Sequence, residues 1–395
     1  MTKNAVHIVF SGGGTAGHLF PGLAVAERLA EAIPRARITF CGVGKPLERQ
    51  SVAGAGFEYF TLPARPLPRG VGEAVAFVLE QFSSFVAAGR FLREERVDAV
   101  VGLGGYASVP MARAAIRRNV PLVLLEQNAV PGKATRWLAH GASLICTSFG
   151  QTRAKLRCRC PVRMTGNPIR RRFDCRRRLL SPIVEDAAIL SATGVASYNP
   201  VEARRQLLVL GGSGGAHALN ENVPPALYKV SRQLRGWRIV HQCGDSDLEA
   251  TRALYRKFAL DAAVEPFLDD VPATLAATDL AITRAGGSTL AELAAAGVPA
   301  VLVPYPYATD DHQAINARHY ASGRGCITID GRKLAGRLDD ELAEKLCFLL
   351  ANDDLRRRMS AAMRDLARPH AAEDVAELVW SIASSRSRPM ETQLV

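Results

Sequence analysis

The sequence predicts an α/β protein made of two Rossmann-like domains with an interdomain cleft. Three observations predict it. Short apolar runs alternate with amphipathic helical stretches from end to end, the signature of parallel sheets with helical crossovers. The series restarts midway: "VHIVF" runs into "GGGTAGH" at residue 12 and "QLLVL" into "GGSGGAH" at residue 211, each followed by a helix. The length of 395 residues exceeds what a single core usually reaches, so two domains of about 150 to 200 residues are the default.

Taken in order, the first half reads as strands at "AVHIVF", "RITFC", "EYFTL", "DAVVGLG", "LVLLEQ", "LICTS" and "VRMTG". The first helix follows "GGGTAGH", with Leu23, Ala26, Leu29 and Ile33 repeating at helical spacing. The second half reads as strands at "QLLVLGGSGG", "RIVHQCG", "AVEPF", "LAITRAGG", "PAVLVPYP" and "CITID". Between the halves, an arginine-rich stretch without periodicity reads as a surface linker, the other reading being that Arg170 to Arg172 and Arg176 to Arg178 lean on phosphates. The boundaries expected are 1–175 for the first domain, 176–205 for the linker, 206–370 for the second domain and 371–395 for a C-terminal helix and tail.

A net charge of +12 calls for an anionic partner: nucleic acid, an anionic membrane surface or a phosphorylated substrate. Aromatic residues make up 6% and none interleave with the arginine run, so the stacking platforms of a nucleic-acid binder are missing. The eight cysteines (41, 146, 158, 160, 175, 243, 326 and 347) lie mostly in apolar runs. They read as reduced thiols of a cytosolic protein, and "CRC" without further ligands is no metal site. No run reaches the roughly 18 apolar residues of a membrane span, and the N-terminus leads into a strand rather than a signal peptide.

Gly12, Gly14 and Gly17 satisfy G-x-G-x-x-G. A dinucleotide site would also need an acidic residue closing the second strand, about 20 residues on, where Cys41 and Gly42 stand instead. A third glycine turn, "GLGGYAS" at 102–108, ends at the same sheet edge, so Gly13, Gly14, Gly104, Gly105 and Tyr106 form a candidate pyrophosphate cradle. His18 opens the first helix, where a neutral imidazole can act as base or donor. Glu126, Gln127 and Asn128 end another strand with three polar residues. In the second half, Gly286 to Thr289 open a helix whose free N–H groups suit a phosphate, and Glu292, one turn in, suits ribose hydroxyls. Asp311, His312, Gln313 and Asn316 stand where sugar hydroxyls would be read.

These stretches together resemble the nucleotide-sugar glycosyltransferases of the two-domain GT-B fold. "GGGTAGHLFPGLAVAERL", "GLGGYASVP", "LLEQNAVPGKATRWLA", "TGNPIR", "LGGSGGAHALN" and "GGSTLAELAAAGVPAVLVPYPYATDDHQAINA" are similar to the family that adds N-acetylglucosamine from UDP-N-acetylglucosamine to lipid I in peptidoglycan synthesis. The resemblance covers most of residues 5–385. It implies donor contacts at Thr15, Ala16, Gly17, Asn128, Arg170, Ser213, Leu268, Gly287, Ser288, Thr289, Leu290, Ala291, Glu292 and Gln313. UDP would lie on the C-terminal domain, with Glu292 on its ribose and Gln313 on the sugar, and the N-terminal glycine loops would cradle the acceptor's lipid pyrophosphate.

The implied chemistry is an inverting displacement with His18 as base and Glu126 as the alternative. No cofactor is required, a divalent cation being compatible with the reaction but not needed. The implied partners are UDP-N-acetylglucosamine, lipid I, an anionic membrane surface and other cell-wall synthesis proteins, with no nucleic acid. The implied location is peripheral, on the cytoplasmic face of the inner membrane, with residues 70–97 as an apolar patch rimmed by arginines. Two departures stand out: the stretch from about 180 to 203 exceeds the family's usual connection, and Ala16 stands where glycine is common. The nearest rivals are a GT-B transferase with a different lipid or small-molecule acceptor and a UDP-N-acetylglucosamine 2-epimerase.

Overall fold

Strand β1 (His7–Ser11) is buried along its length, and its alternation sets the layers of the first domain. Ile8 and Phe10 face one apolar cluster with Leu23, Ala26 and Leu29, while Val9 faces another with Met111, Leu122 and Leu138. Each large side chain so buried contributes roughly 1.5–3 kcal/mol. A strand covered on both faces belongs in a parallel sheet with helices on either side. The computed structural model describes residues 6–65, 71–170, 205–212, 215–333 and 336–386.

In the first domain β1 is joined by β2 (Arg37–Gly42), β3 (Glu58–Thr61), β4 (Ala99–Gly102), β5 (Leu122–Glu126), β6 (Leu144–Thr147) and β7 (Val162–Met164). They form a parallel sheet in the order β3-β2-β1-β4-β5-β6-β7. The helices are α1 (Ala16–Ala32), α2 (Pro46–Gly54), α3 (Val71–Glu94), α4 (Val109–Arg117) and α5 (Lys133–Leu138).

The second domain pairs β8 (Arg205–Leu210), β9 (Trp237–Gln242), β10 (Ala262–Glu265), β11 (Leu280–Thr283), β12 (Ala300–Leu302) and β13 (Cys326–Thr328). Their order is β10-β9-β8-β11-β12-β13, again parallel. Its helices are α6 (His217–Lys229), α7 (Leu248–Lys257), α8 (Val271–Ala276), α9 (Gly287–Ala296), α10 (His312–Ser322), α11 (Leu338–Ala351) and α12 (Asp353–Leu366). Each sheet reverses strand order beside its first strand, between β1 and β4 and between β8 and β11. Ligand crevices open at such switch points, beyond the strands' carboxyl ends.

The last helix, α13 (Ala371–Arg386), returns to the first domain. Val375, Val379 and Ala383, four residues apart, are buried with Ile8, Phe10 and Leu23, and Arg28 pairs with Glu373 at 2.9 Å. Arg205, read as linker, instead begins β8. The rest of the expected linker, and the tail beyond residue 386, lie outside the described residues.

Helix α3 is two-faced. Ala88 and Leu92 pack against α4, while Val78, Leu79 and Phe82 are 61%, 65% and 65% exposed. Val86 continues this open stripe at i+4 spacing. No helix among the described residues is long and apolar enough to cross a membrane.

Candidate active site

The β1–α1 loop turns sharply because Gly12, Gly13 and Gly14 take φ of +135°, +146° and +82°, values that favour glycine. Gly14 is not free to bind an anion through its amide. Its N–H donates to Glu48 Oε1 at 2.6 Å, so of the expected cradle this amide is already occupied by an internal carboxylate. The amides at Ala16 and Gly17, in the first turn of α1, have no partner within the helix.

His18 lies against the β4 loop: a Cβ on Gly104 would come within 3.0 Å of its ring, and the Gly105 position borders it too. Tyr106 completes the group, its hydroxyl 3.9 Å from where a Gly14 Cβ would stand. Two neighbouring strands thus bring Gly13, Gly14, Gly104, Gly105, Tyr106 and His18 together. Burial, then His312 across the cleft, lowers the His18 pKa to about 4, so the imidazole is neutral at neutral pH. Its Nδ1 lies 2.9 Å from Thr15 Oγ1. In the tautomer that donates Nδ1–H to Thr15, the Nε2 lone pair is available as a base.

Glu126, the alternative base, is engaged elsewhere. Its Oε1 accepts from Asn128 N–H at 3.1 Å and its Oε2 from Gly132 N–H at 3.0 Å. Burial raises its pKa while these donors and Thr135 oppose the shift. These bonds tie Glu126 to the 128–135 turn and engage both its oxygens.

The second domain closes on this turn with α9. A Cβ on Gly287 would sit 2.0 Å from the Gln127 carbonyl oxygen, so only glycine permits the approach. Ser288 Oγ donates to the Gly17 carbonyl at 2.8 Å and accepts from Asn167 Nδ2 at 3.2 Å. That carbonyl is available because Pro21, four residues on in α1, has no N–H to donate to it. Pro21 is not among the residues singled out from the sequence, and its place inside the first helix is the signal that leaves this carbonyl open.

Behind Ser288, Leu290 is fully buried, Ala291 and Thr289 are partly covered, and Glu292 lies beside Arg170. Burial raises the Glu292 pKa to about 7, with Arg170 opposing. The Arg170 guanidinium covers the Phe20 ring at 4.4 Å, and its buried Nε has no partner. A carboxyl short of donors beside a guanidinium short of acceptors suits a ligand offering hydroxyls and phosphate.

Gln313 Oε1 accepts from Tyr305 and Ala285 N–H at 2.9 and 3.2 Å, leaving its amide nitrogen to donate to a ligand. Asn316, expected among the sugar contacts, is instead fully buried and committed. Its Oδ1 accepts from Ala129 N–H at 2.8 Å, and its Nδ2 donates to Asn128 Oδ1 at 3.0 Å and Ala285 O at 3.1 Å. It joins the domains, as does the pair of Arg136 with Asp310. Leu268 packs into the apolar cluster that also takes Ala129 and Phe149 from the first domain. Ser213 lies outside the described residues.

Residues 206–377 match the model of the glycosyltransferase family 28 C-terminal domain, and residues 8–146 that of the family 28 N-terminal domain. The chain belongs to glycosyltransferase family 28. A relative from Methylococcus capsulatus is 38% identical over 95% of this chain and 98% of its own. It is named UDP-N-acetylglucosamine–N-acetylmuramyl-(pentapeptide) pyrophosphoryl-undecaprenol N-acetylglucosamine transferase, and a relative of the same name from Pelobacter propionicus is 36% identical over 94% and 98%. The solved structure of Acinetobacter baumannii MurG superposes with a TM-score of 0.70 at 30% identity, covering 95% of this chain and 99% of that one. A UDP-N-acetylglucosamine 2-epimerase of Listeria monocytogenes, with a TM-score of 0.64 at 14% identity, shares the fold alone.

In this family 28 chain Asn316 is one of the polar side chains that join the two domains, and its loss is measurable. Asn316→Ala leaves the Ala129 N–H buried and unpaired, and is expected to lower the free energy of unfolding by about 2–4 kcal/mol. Urea unfolding checks this. A loss below about 0.5 kcal/mol, the size of an ordinary surface change, would mean that the domains do not meet here in solution.

Proposed function

We propose that the chain is an inverting hexosyltransferase that moves N-acetylglucosamine from UDP-N-acetylglucosamine to the 4-hydroxyl of lipid I, undecaprenyl-pyrophosphoryl-N-acetylmuramyl-pentapeptide, giving β-1,4-linked lipid II. The observation that carries this reading is 36–38% identity, end to end, with relatives named for that transfer. The cleft supports it.

The UDP ribose hydroxyls donate to ionised Glu292, and the diphosphate lies between the N-terminus of α9 and Arg170. Gln313 reads the sugar through its amide nitrogen. The acceptor's pyrophosphate lies between the β1–α1 loop at Gly13 and the β4 loop at Gly104, Gly105 and Tyr106, which brings its sugar to His18. The acceptor oxygen attacks the anomeric carbon, and its proton passes to His18 Nε2. The bond from that carbon to the β-phosphate oxygen breaks with its electron pair going to UDP, turning the α-linked donor into a β-linked product. Negative charge growing on UDP meets the helix dipole and Arg170, which supply what a divalent ion would otherwise supply. A reaction so arranged requires no metal and remains compatible with a divalent cation.

A lipid-linked acceptor puts the enzyme at a membrane, on the cytoplasmic side where the nucleotide donor is found. The open stripe of Val78, Leu79, Phe82 and Val86 on α3, followed by exposed Arg90 and Arg93, suits an anionic bilayer surface. Phe82→Glu is expected to weaken sedimentation with anionic lipid vesicles by about tenfold or more while leaving UDP binding unchanged. Unaltered sedimentation would remove α3 from the membrane face.

The test of the function is transfer of labelled N-acetylglucosamine from its UDP donor to a short-chain lipid I analogue, read as a β-linked disaccharide. If UDP binds and that acceptor is ignored, the donor half of the reading stands and another acceptor must be sought.

A further inference from the structure

Glu48 is a carboxylate with 2% exposure, carried by α2 into the base of the β1–α1 loop. All its partners are donors. Oε1 accepts from Gly14 N–H at 2.6 Å, and Oε2 accepts from Gly44 N–H at 3.0 Å, from Lys45 N–H at 3.3 Å and from the Tyr59 hydroxyl. Burial and the carboxylate itself hold the Tyr59 hydroxyl protonated, so it remains a donor. The chain is cut to fit: a Cβ on Gly13 would lie 2.7 Å from Oε1, and one on Gly42 would lie 2.8 Å from Oε2. Lys45 Nζ donates to the Gly14 carbonyl at 2.9 Å, so α2 grips the Gly14 residue from both ends.

We propose that Glu48 is a positioning residue of the acceptor half: an internal anion that fixes Gly14, and thereby presents the glycine loop and His18 to the acceptor's diphosphate. It touches no substrate. The loop it orders is left-handed at three successive glycines, the conformation with the most alternatives, so without an anchor it samples geometries that misplace His18. Displacements of about 1 Å in a reacting group cost up to about 100-fold in rate. The proposal rests on the transferase reading above for what the loop receives, but not for what holds the loop.

Glu48→Gln separates the two functions of the carboxylate. An amide has one accepting end, and the side with three donors (Gly44, Lys45 and Tyr59) claims it. The amide nitrogen is then left facing the Gly14 N–H, donor against donor, so the loop is released while the α2 anchor survives. In the full-length protein, kcat/KM for a short-chain lipid I analogue is expected to fall about 10- to 100-fold. UDP affinity by calorimetry should stay within about twofold, and deuterium uptake should rise in the peptide covering residues 8–20 but not in β8.

Tyr59→Phe removes an Oε2 partner but leaves the Gly14 bond, and is expected to keep acceptor kcat/KM near native. If it matches Glu48→Gln, or if UDP affinity falls in parallel, Glu48 is only a general stabiliser and the proposal is overturned. Unchanged uptake and unchanged acceptor kinetics in Glu48→Gln overturn it as well. Should Glu48→Gln not fold, Gly13→Ala pushes the same loop off Oε1 and must give the same uptake signature. Native protein that fails to use the analogue counts against the transferase reading alone, because the exchange comparison still decides whether Glu48 orders the loop.

Discussion

Replacing Glu292 with glutamine is expected to raise the KM for UDP-N-acetylglucosamine about 100-fold while changing kcat much less. Two hydroxyl donors to a carboxylate in a half-buried site contribute about 1.5–3 kcal/mol each, and the amide keeps at most one as a neutral bond. The stronger test is pH. Burial raises the Glu292 pKa to about 7, so the unliganded protein holds this group about half protonated at neutral pH. Ribose hydroxyls bind the ionised form, so donor affinity is full above pH 7 and declines about tenfold per unit as pH falls below it.

For the unliganded fold the sign is opposite. A carboxyl whose folded pKa exceeds its unfolded value of 4.5 contributes stability below 4.5 that is lost as pH rises through about 7. Calorimetry with UDP-N-acetylglucosamine, whose esterified diphosphate does not titrate in this range, between about pH 6 and about pH 8 should show the slope in the native protein and a flat line in Glu292→Gln. A native slope that survives in the variant would assign the proton to another group.

His18→Gln is expected to lower kcat by about 10²- to 10⁴-fold with the donor KM nearly unchanged, the range of a lost general base. Glutamine keeps a polar group beside Thr15, so the loss reports proton transfer rather than collapse of the loop. With its pKa lowered to about 4, His18 is deprotonated throughout the neutral range, and its own limb in the pH–rate profile lies well below that of Glu292. The two limbs are separable: Glu292→Gln should remove the one near 7 and leave the acidic one. Native-like kcat in His18→Gln would move the base to another residue, and Glu126 is a poor successor because backbone N–H groups already engage both its oxygens.

Strand, glycine loop and helix were legible in order because each depends on neighbours in the chain. Apolar β-branched runs announce buried parallel strands, as in β1 and β11, and glycines announce turns such as 12–14 that other residues resist. The glycine opening of α9, its carboxylate at 292 and the histidine opening α1 were read the same way, from position within one strand–loop–helix unit. Pro21 was visible too, but what its missing N–H released was not, since the group that uses the Gly17 carbonyl is 271 residues away.

What only the tertiary structure decided is which polar groups are already spent. Asn316 and Gln313 lie three residues apart in one motif and look equally suited to a sugar, yet Asn316 is spent on Ala129 and Asn128 of the other domain and Ala285 of its own, while Gln313 keeps a donor. Glu48 gives no sign in the sequence that it will occupy a loop 34 residues earlier. The return of α13 to the first domain, and the burial that raises the Glu292 pKa, likewise depend on the packing of both domains. The physical reason is the range of the forces involved. Backbone sterics and hydrophobic periodicity act over a few residues and leave their mark in sequence order, whereas hydrogen-bond satisfaction and desolvation are settled among groups that meet only after the chain has folded.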